Sequence, residues 1–298
     1  MSMYYNLNMK NIVFFTIYIV FFAILSSILF SVLYMQFDEQ PIFALNKAIK
    51  YGGILLCIVF IFPTLKLKGL YNRSLIGFTE PKKEFILNIF KSFFTSLIFS
   101  IPLIFLFLFL DMRNLNNDQI FFDGFLTIII FTILISFVIS FIEESFFRGI
   151  LIQKNQSILQ SIYIILLSST VYSLFHFIKI PLILNEEIFW NTGLIEIFNV
   201  FSNFYNLISF DAAITLLVFG ILLGFIRIKT MSISYCIGIH AGFVFVIKIF
   251  RQNTTVNFDS KYNLLLSSYD HFTGHLSTLW IVIILTLYLI FIKNKDKL

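Results

Sequence analysis

Cysteine is almost missing from this chain of 298 residues: Cys57 and Cys236 are the two, each inside an apolar run. That argues against a disulfide framework, and both read as small buried hydrophobes. Charge is scarce as well, at 12% of residues, against roughly a quarter in soluble domains. The net charge of +5 comes without a basic cluster on any amphipathic or Gly-rich segment, so nucleic acid is not an expected partner. No internal repeat is visible, which argues against an inverted-repeat transporter. The zincin signature His-Glu-x-x-His is lacking. The first apolar run, 11–35, has no small-x-small cleavage site and is read as a retained span. The C-terminal Lys295-Asp296-Lys297-Leu298 is not a prenylation signal.

What fills the chain is hydrophobic: 59% of residues, with 41 Phe. No single aqueous core could take up so many large apolar side chains, so their solvent is lipid. At about 20 apolar residues per crossing, spans are expected near 11–35, 51–65, 86–110, 124–147, 158–180, 205–226, 231–250 and 276–293. Gly52, Gly53 and Pro63 shorten the second run, and Glu143, Glu144 and Arg148 interrupt the fourth. The predicted fold is all-α, a polytopic transmembrane helical bundle of about eight spans. Lys and Arg bias sets the orientation. With a cytoplasmic N-terminus, all 21 basic residues fall inside except Lys47, Lys50, Arg113, Lys179, Lys248, Arg251 and Lys261. Those seven lie beside acids such as Asp38, Glu39, Asp111, Asp118, Glu186 and Glu187. A multi-pass protein of the cell membrane with both termini cytoplasmic is expected. The polar stretch from about Lys179 to Asn203 reads as a solvated loop anchored by Trp190, or as a re-entrant segment.

Ionisable side chains at bilayer depth are costly and ask for partners. In Phe141-Ile142-Glu143-Glu144-Ser145-Phe146-Phe147-Arg148-Gly149, Glu144 and Arg148 stand at i and i+4 with the acid first, the favourable helical order. Glu143 is turned about 100° away and has no such partner in the sequence. It is the acid placed to act as a general base, although an interfacial carboxylate beside a structural ion pair would look the same. Tyr172 and His176 share one face late in the fifth span. The midpoint between 143 and 176 falls near Gln160, inside the polar stretch Gln153 to Ser161 that must turn the chain. An antiparallel hairpin then puts Glu143 and His176 at similar depth, where a carboxylate and an imidazole can share a water. His240 lies in Gly238-Ile239-His240-Ala241-Gly242, whose small residues let a neighbouring helix come close. It joins the site if that seam faces the hairpin. His271 and His275 read as interfacial, with Asp270 as the third member of a weak metal pattern.

Taken together, these residues resemble the CPBP intramembrane proteases, which include the type II CAAX-prenyl endoproteases and the Abi or bacteriocin-processing relatives. The resemblance covers roughly 124–250. It rests on Glu-Glu-x-x-x-Arg at Glu143, Glu144 and Arg148, on the aromatic-x-x-x-His element at Tyr172 and His176, and on the third histidine, His240. It implies N-terminal transmembrane helices over 1–123, a catalytic helical core over 124–250, and a last loop and helix over 251–298. It also implies that Glu143 and His176 activate the attacking water, that His240 stabilises the oxyanion, and that Glu144, Arg148 and Tyr172 order the site. The family commonly has Asn four residues after the third His, where this chain has Val244; losing one oxyanion donor costs about 3 kcal/mol. No cofactor is expected. If Zn²⁺ were held, its ligands would be Glu143, His176 and His240.

The expected function is endopeptidase cleavage of a membrane-associated or lipidated peptide. Two alternatives stay open. One is a non-catalytic immunity or scaffold protein of the same fold, for which Val244 speaks. The other is a proton-coupled transporter, since Glu and His relays also occupy membranes.

Overall fold

In lipid every backbone N–H and C=O must be satisfied within the segment, so apolar runs of this length fold as helices. The computed structural model describes residues 2–37, 44–116, 122–152, 158–183 and 187–295. Asp38, Glu39, Asp118, Lys154, Asn185, Glu186 and Lys297 fall outside them. In chain order come α1 (Ser2–Tyr34), α2 (Leu45–Leu67), α3 (Lys82–Phe109), β1 (Arg113–Leu115) and α4 (Phe122–Glu144). A π-helical turn (Ser145–Ile150) extends α4. Then follow α5 (Ile158–Phe175), α6 (Thr192–Ser202), α7 (Phe204–Leu207), α8 (Phe210–Thr230), α9 (Ser234–Gln252), β2 (Thr254–Val256), a 3₁₀ turn (Asn263–Leu265) and α10 (His275–Lys295).

Among the described residues, eight helices are long and apolar enough to cross a membrane, and the chain is a polytopic helical bundle. The second span runs 45–67, longer than expected, because Gly52, Gly53 and Pro63 all stay helical. Gly53 serves packing: a Cβ there would meet Ser26 Cβ at 3.6 Å. The fifth span stops at Phe175 rather than 180, so His176 lies just past the helix, not within it. The stretch Gln153 to Ser161 is only partly a turn, since 158–161 already belong to α5.

The chain forms two compact units. The first comprises Met1–Asn72 and Leu174–Ile208. Within it α1, α2 and α6 pack around Tyr34, Leu45, Ala48, Ile49, Ile183 and Ile197. Small polar groups satisfy backbone at these contacts. Ser26 Oγ donates to the Ile49 carbonyl (2.8 Å), and the Gly193 N–H donates to Ser31 Oγ (2.9 Å). The polar stretch after Lys179 thus contains a helix, α6, with Gly193, Ile197 and Val200 buried. Trp190, just before it, stays exposed.

The second unit comprises Arg73–Ser173 and Ser209–Leu298. In it α9 packs against both α3 and α4. On the α3 side, Cβ atoms added at Gly238 and Gly242 would overlap Ser92 Oγ and Ser96 Oγ. Those hydroxyls bond inside α3, to the Asn88 carbonyl (2.6 Å) and the Phe93 carbonyl (2.7 Å), so no polar group is stranded in the seam. At one end of the unit, β1 and β2 pair antiparallel with Arg113 opposite Val256. Beside them Leu103, Phe107, Met112, Phe250, Leu266, Phe272 and Leu276 form a core cluster. Buried Arg113 ties that end together, donating to Thr254 Oγ1 (2.7 Å), the Thr254 carbonyl (2.9 Å) and the His271 carbonyl (2.9 Å). Burial lowers the Arg113 pKa, the charge of Arg251 adds to the effect, and Asp270 opposes it.

Candidate active site

Glu143 and Glu144 are the last residues of α4 before the helix widens into the π turn. Such turns recur at functional sites. Successive residues on a helix diverge by about 100°, and the two acids meet different surroundings. The Glu144 side chain is fully buried and Oε1 lies 2.9 Å from Arg148 Nη1, whose guanidinium is equally sealed. Glu143 keeps 28% of its side chain accessible. One acid is therefore locked inside the protein while its neighbour can meet a water or a substrate.

His240 enters from α9 on the face away from the glycine seam. Gly238 and Gly242 pack against α3, so the seam does not face the hairpin of α4 and α5 as the sequence suggested. The imidazole nevertheless reaches α4 because two positions along a helix turn a side chain by about 200°. Its Nδ1 lies 2.8 Å from Glu144 Oε1, and its Nε2 lies 3.9 Å from Glu143 Oε2. Glu144 thus takes bonds from Arg148 and from the imidazole at one oxygen, and orients the ring so that the other nitrogen points toward Glu143. The ring is wedged by aromatic edges, Phe219 at 5.5 Å and Tyr172 at 6.0 Å between centroids.

Tyr172 is buried in α5 with the Arg148 guanidinium 4.5 Å over its ring and Phe147 at 5.2 Å. Ser168 Oγ donates to the Phe147 carbonyl (2.9 Å). That pairing of 147 with 168 sets the register of the two antiparallel segments and makes Glu143 level with Tyr172. His176 comes one residue after α5 and belongs to the first unit. Val244, one turn beyond His240, carries no donor.

Sequence reasoning missed Arg227. Although in the last turn of α8, it is buried, donating from Nε to the Arg148 carbonyl (2.9 Å) and from Nη2 to the Leu75 carbonyl (3.1 Å). Gly77 makes room for it: φ is +90°, and a Cβ would stand 3.1 Å from Arg227 Nε and 2.7 Å from Ile233 Cγ2. A basic residue at a helix end looked like a topology signal alone. Asp270, paired on paper with His271 and His275, instead spends Oδ1 on the N–H groups of Phe272 (3.0 Å) and Thr273 (2.8 Å). Among the described residues, no three of His, Cys, Asp and Glu are grouped to hold a metal.

The fold and this cluster define a class: a multi-pass helical membrane protein in which two acids and a guanidinium on one span meet an imidazole from another. Within it, residues 125–246 match the family described as Rce1-like, type II CAAX prenyl endopeptidase. The matched stretch contains Glu143, Glu144, Arg148, Tyr172, His176 and His240, and over it the chain is similar to that family. No curated protein and no solved structure matches the chain.

Proposed function

We propose that this protein is an intramembrane endopeptidase that hydrolyses a peptide bond in a membrane-associated or lipidated substrate. The observation that carries the reading is the relation of His240 to its two acids, Nδ1 fixed by buried Glu144 and Nε2 aimed at accessible Glu143. Glu143 takes a proton from the attacking water. His240 helps stabilise the oxygen that gains charge, while Arg148, Glu144 and Tyr172 hold the imidazole in place. In a site largely shielded from water such donors act strongly on the transition state. The preferred reading needs no metal; were Zn²⁺ held at Glu143 and His240, the ion would supply Lewis-acid activation of the water. The termini lie on the Lys- and Arg-rich side, taken as cytoplasmic.

The test is cleavage of a membrane-embedded peptide library by the parent and by Glu143→Gln. The parent should cleave and the variant should not, with fold and substrate binding kept. Equal cleavage by both removes Glu143 from the mechanism. A second reading, a non-catalytic peptide-binding scaffold, is favoured by Val244, which leaves the position after His240 without a donor. A parent that binds peptides and cleaves none would establish it.

A further inference from the structure

Three segments converge on Gly220 of α8. Its carbonyl accepts from Arg148 Nη2 at 3.3 Å, and a Cβ added to it would stand 2.8 Å from Ser169 Cβ and 3.0 Å from Ser169 Oγ, on α5. Two further contacts fix the same register. Ser168 Oγ donates to the carbonyl of Phe147, the residue before Arg148, at 2.9 Å. The Arg148 guanidinium also stands 4.5 Å over the ring of Tyr172, which shares a face of α5 with Ser169. Ser169 and Arg148 are therefore neighbours around one glycine.

Both are sealed from solvent, at 1% and 0% exposure. Nη1 of the guanidinium is bonded to Glu144 and Nη2 to Gly220, but Nε has no hydrogen-bond partner among the described residues, and neither has Ser169 Oγ. For the donor of a charged group that is an expensive arrangement. The chemistry of what stands between the two atoms is narrowly defined. It accepts from an N–H, bonds a hydroxyl, and is small. The guanidinium refuses a cation, and an anion finds no unbalanced charge because Glu144 already pairs with Arg148. We propose that the protein holds one ordered internal water between Arg148 Nε and Ser169 Oγ, which makes Ser169 a positioning residue for the guanidinium. The water accepts from Nε–H and donates to Ser169 Oγ. Its second hydrogen goes to the Gly220 carbonyl, which has a lone pair left. All three guanidinium nitrogens are then held, and the constraint passes through Nη1 to Glu144 Oε1 and from that oxygen to His240 Nδ1. This water does not depend on the peptidase reading, since it touches neither Glu143 nor a substrate.

The first test is a density map of the parent at a resolution that shows ordered water. A peak within hydrogen-bond distance of both atoms is expected. Direct bonding of Ser169 Oγ to Nε, or the two atoms separated with no peak between them, would overturn the proposal. The second test uses the full chain in detergent with ¹⁵N-labelled arginine. Arg113→Lys and Arg227→Lys identify the signals of the other two buried guanidinium groups, leaving that of Arg148. Its Nε–H should receive magnetisation from water in the parent and in the control Ser100→Ala. Ser169→Ala should lose that transfer and shift the Nε–H resonance while the protein stays folded. No transfer in the parent overturns the water, and transfer and shift unchanged in Ser169→Ala overturn the role of Ser169 in holding it.

Discussion

Glu144 Oε1 accepts from Arg148 Nη1 at 2.9 Å and lies 2.8 Å from His240 Nδ1, so a single buried oxygen joins a guanidinium four residues away to an imidazole on α9. Removing one member leaves the others uncompensated away from water. Glu144→Ala and Arg148→Met should each lose about 3–5 kcal/mol of stability. Thermal melting and folded yield in detergent measure this, and a Glu144→Ala variant that melts like the parent would contradict a structural role for the pair.

The two seams of small residues make opposite predictions for one chemical change. Gly238→Ala puts a methyl group where Ser92 Oγ and the Ile89 carbonyl already stand, and should cost about 1–3 kcal/mol. Gly53→Ala meets its nearest atom at 3.6 Å and should be neutral or stabilising by up to about 1 kcal/mol. Melting temperatures of the two purified variants, compared side by side, decide it.

Arg227 spans two carbonyls from different segments, which a lysine ammonium cannot do in the same planar geometry. Arg227→Lys should lose about 1.5–3 kcal/mol, the worth of one charge-assisted hydrogen bond. Peptide cleavage by the folded fraction should stay near parental, because Arg227 meets a carbonyl of the π turn and not the carboxylates.

Chelation separates the two water-activation schemes. Dialysis against a strong chelator should leave peptide cleavage unchanged. Loss of activity, restored by Zn²⁺ alone, would instead put a metal in the water-activation step.

The spans were readable because lipid demands long apolar helices, and the Glu144–Arg148 pair because i, i+4 partners need only one helix. His240 was found as an ionisable group at depth, yet its direction was not, since Gly238 and Gly242 announce a close approach without saying to which helix. Their partner is α3, whose Ser92 and Ser96 make no distinctive pattern. Arg227 was invisible for a related reason. It works by bonds across large sequence separations, and an arginine at a helix end looks ordinary by itself. The helix in 179–203 was hidden by its acids and asparagines, which the packing of Gly193 and Ile197 outweighs.

The separation of 96 positions between Glu144 and His240 also has a consequence for biosynthesis. A nascent chain delivers α4 to the membrane well before α9 is synthesised, so the acid and the arginine must wait there without their histidine. Because Arg148 lies one turn from Glu144, the pair can close as soon as its own helix forms and travel as a neutral unit.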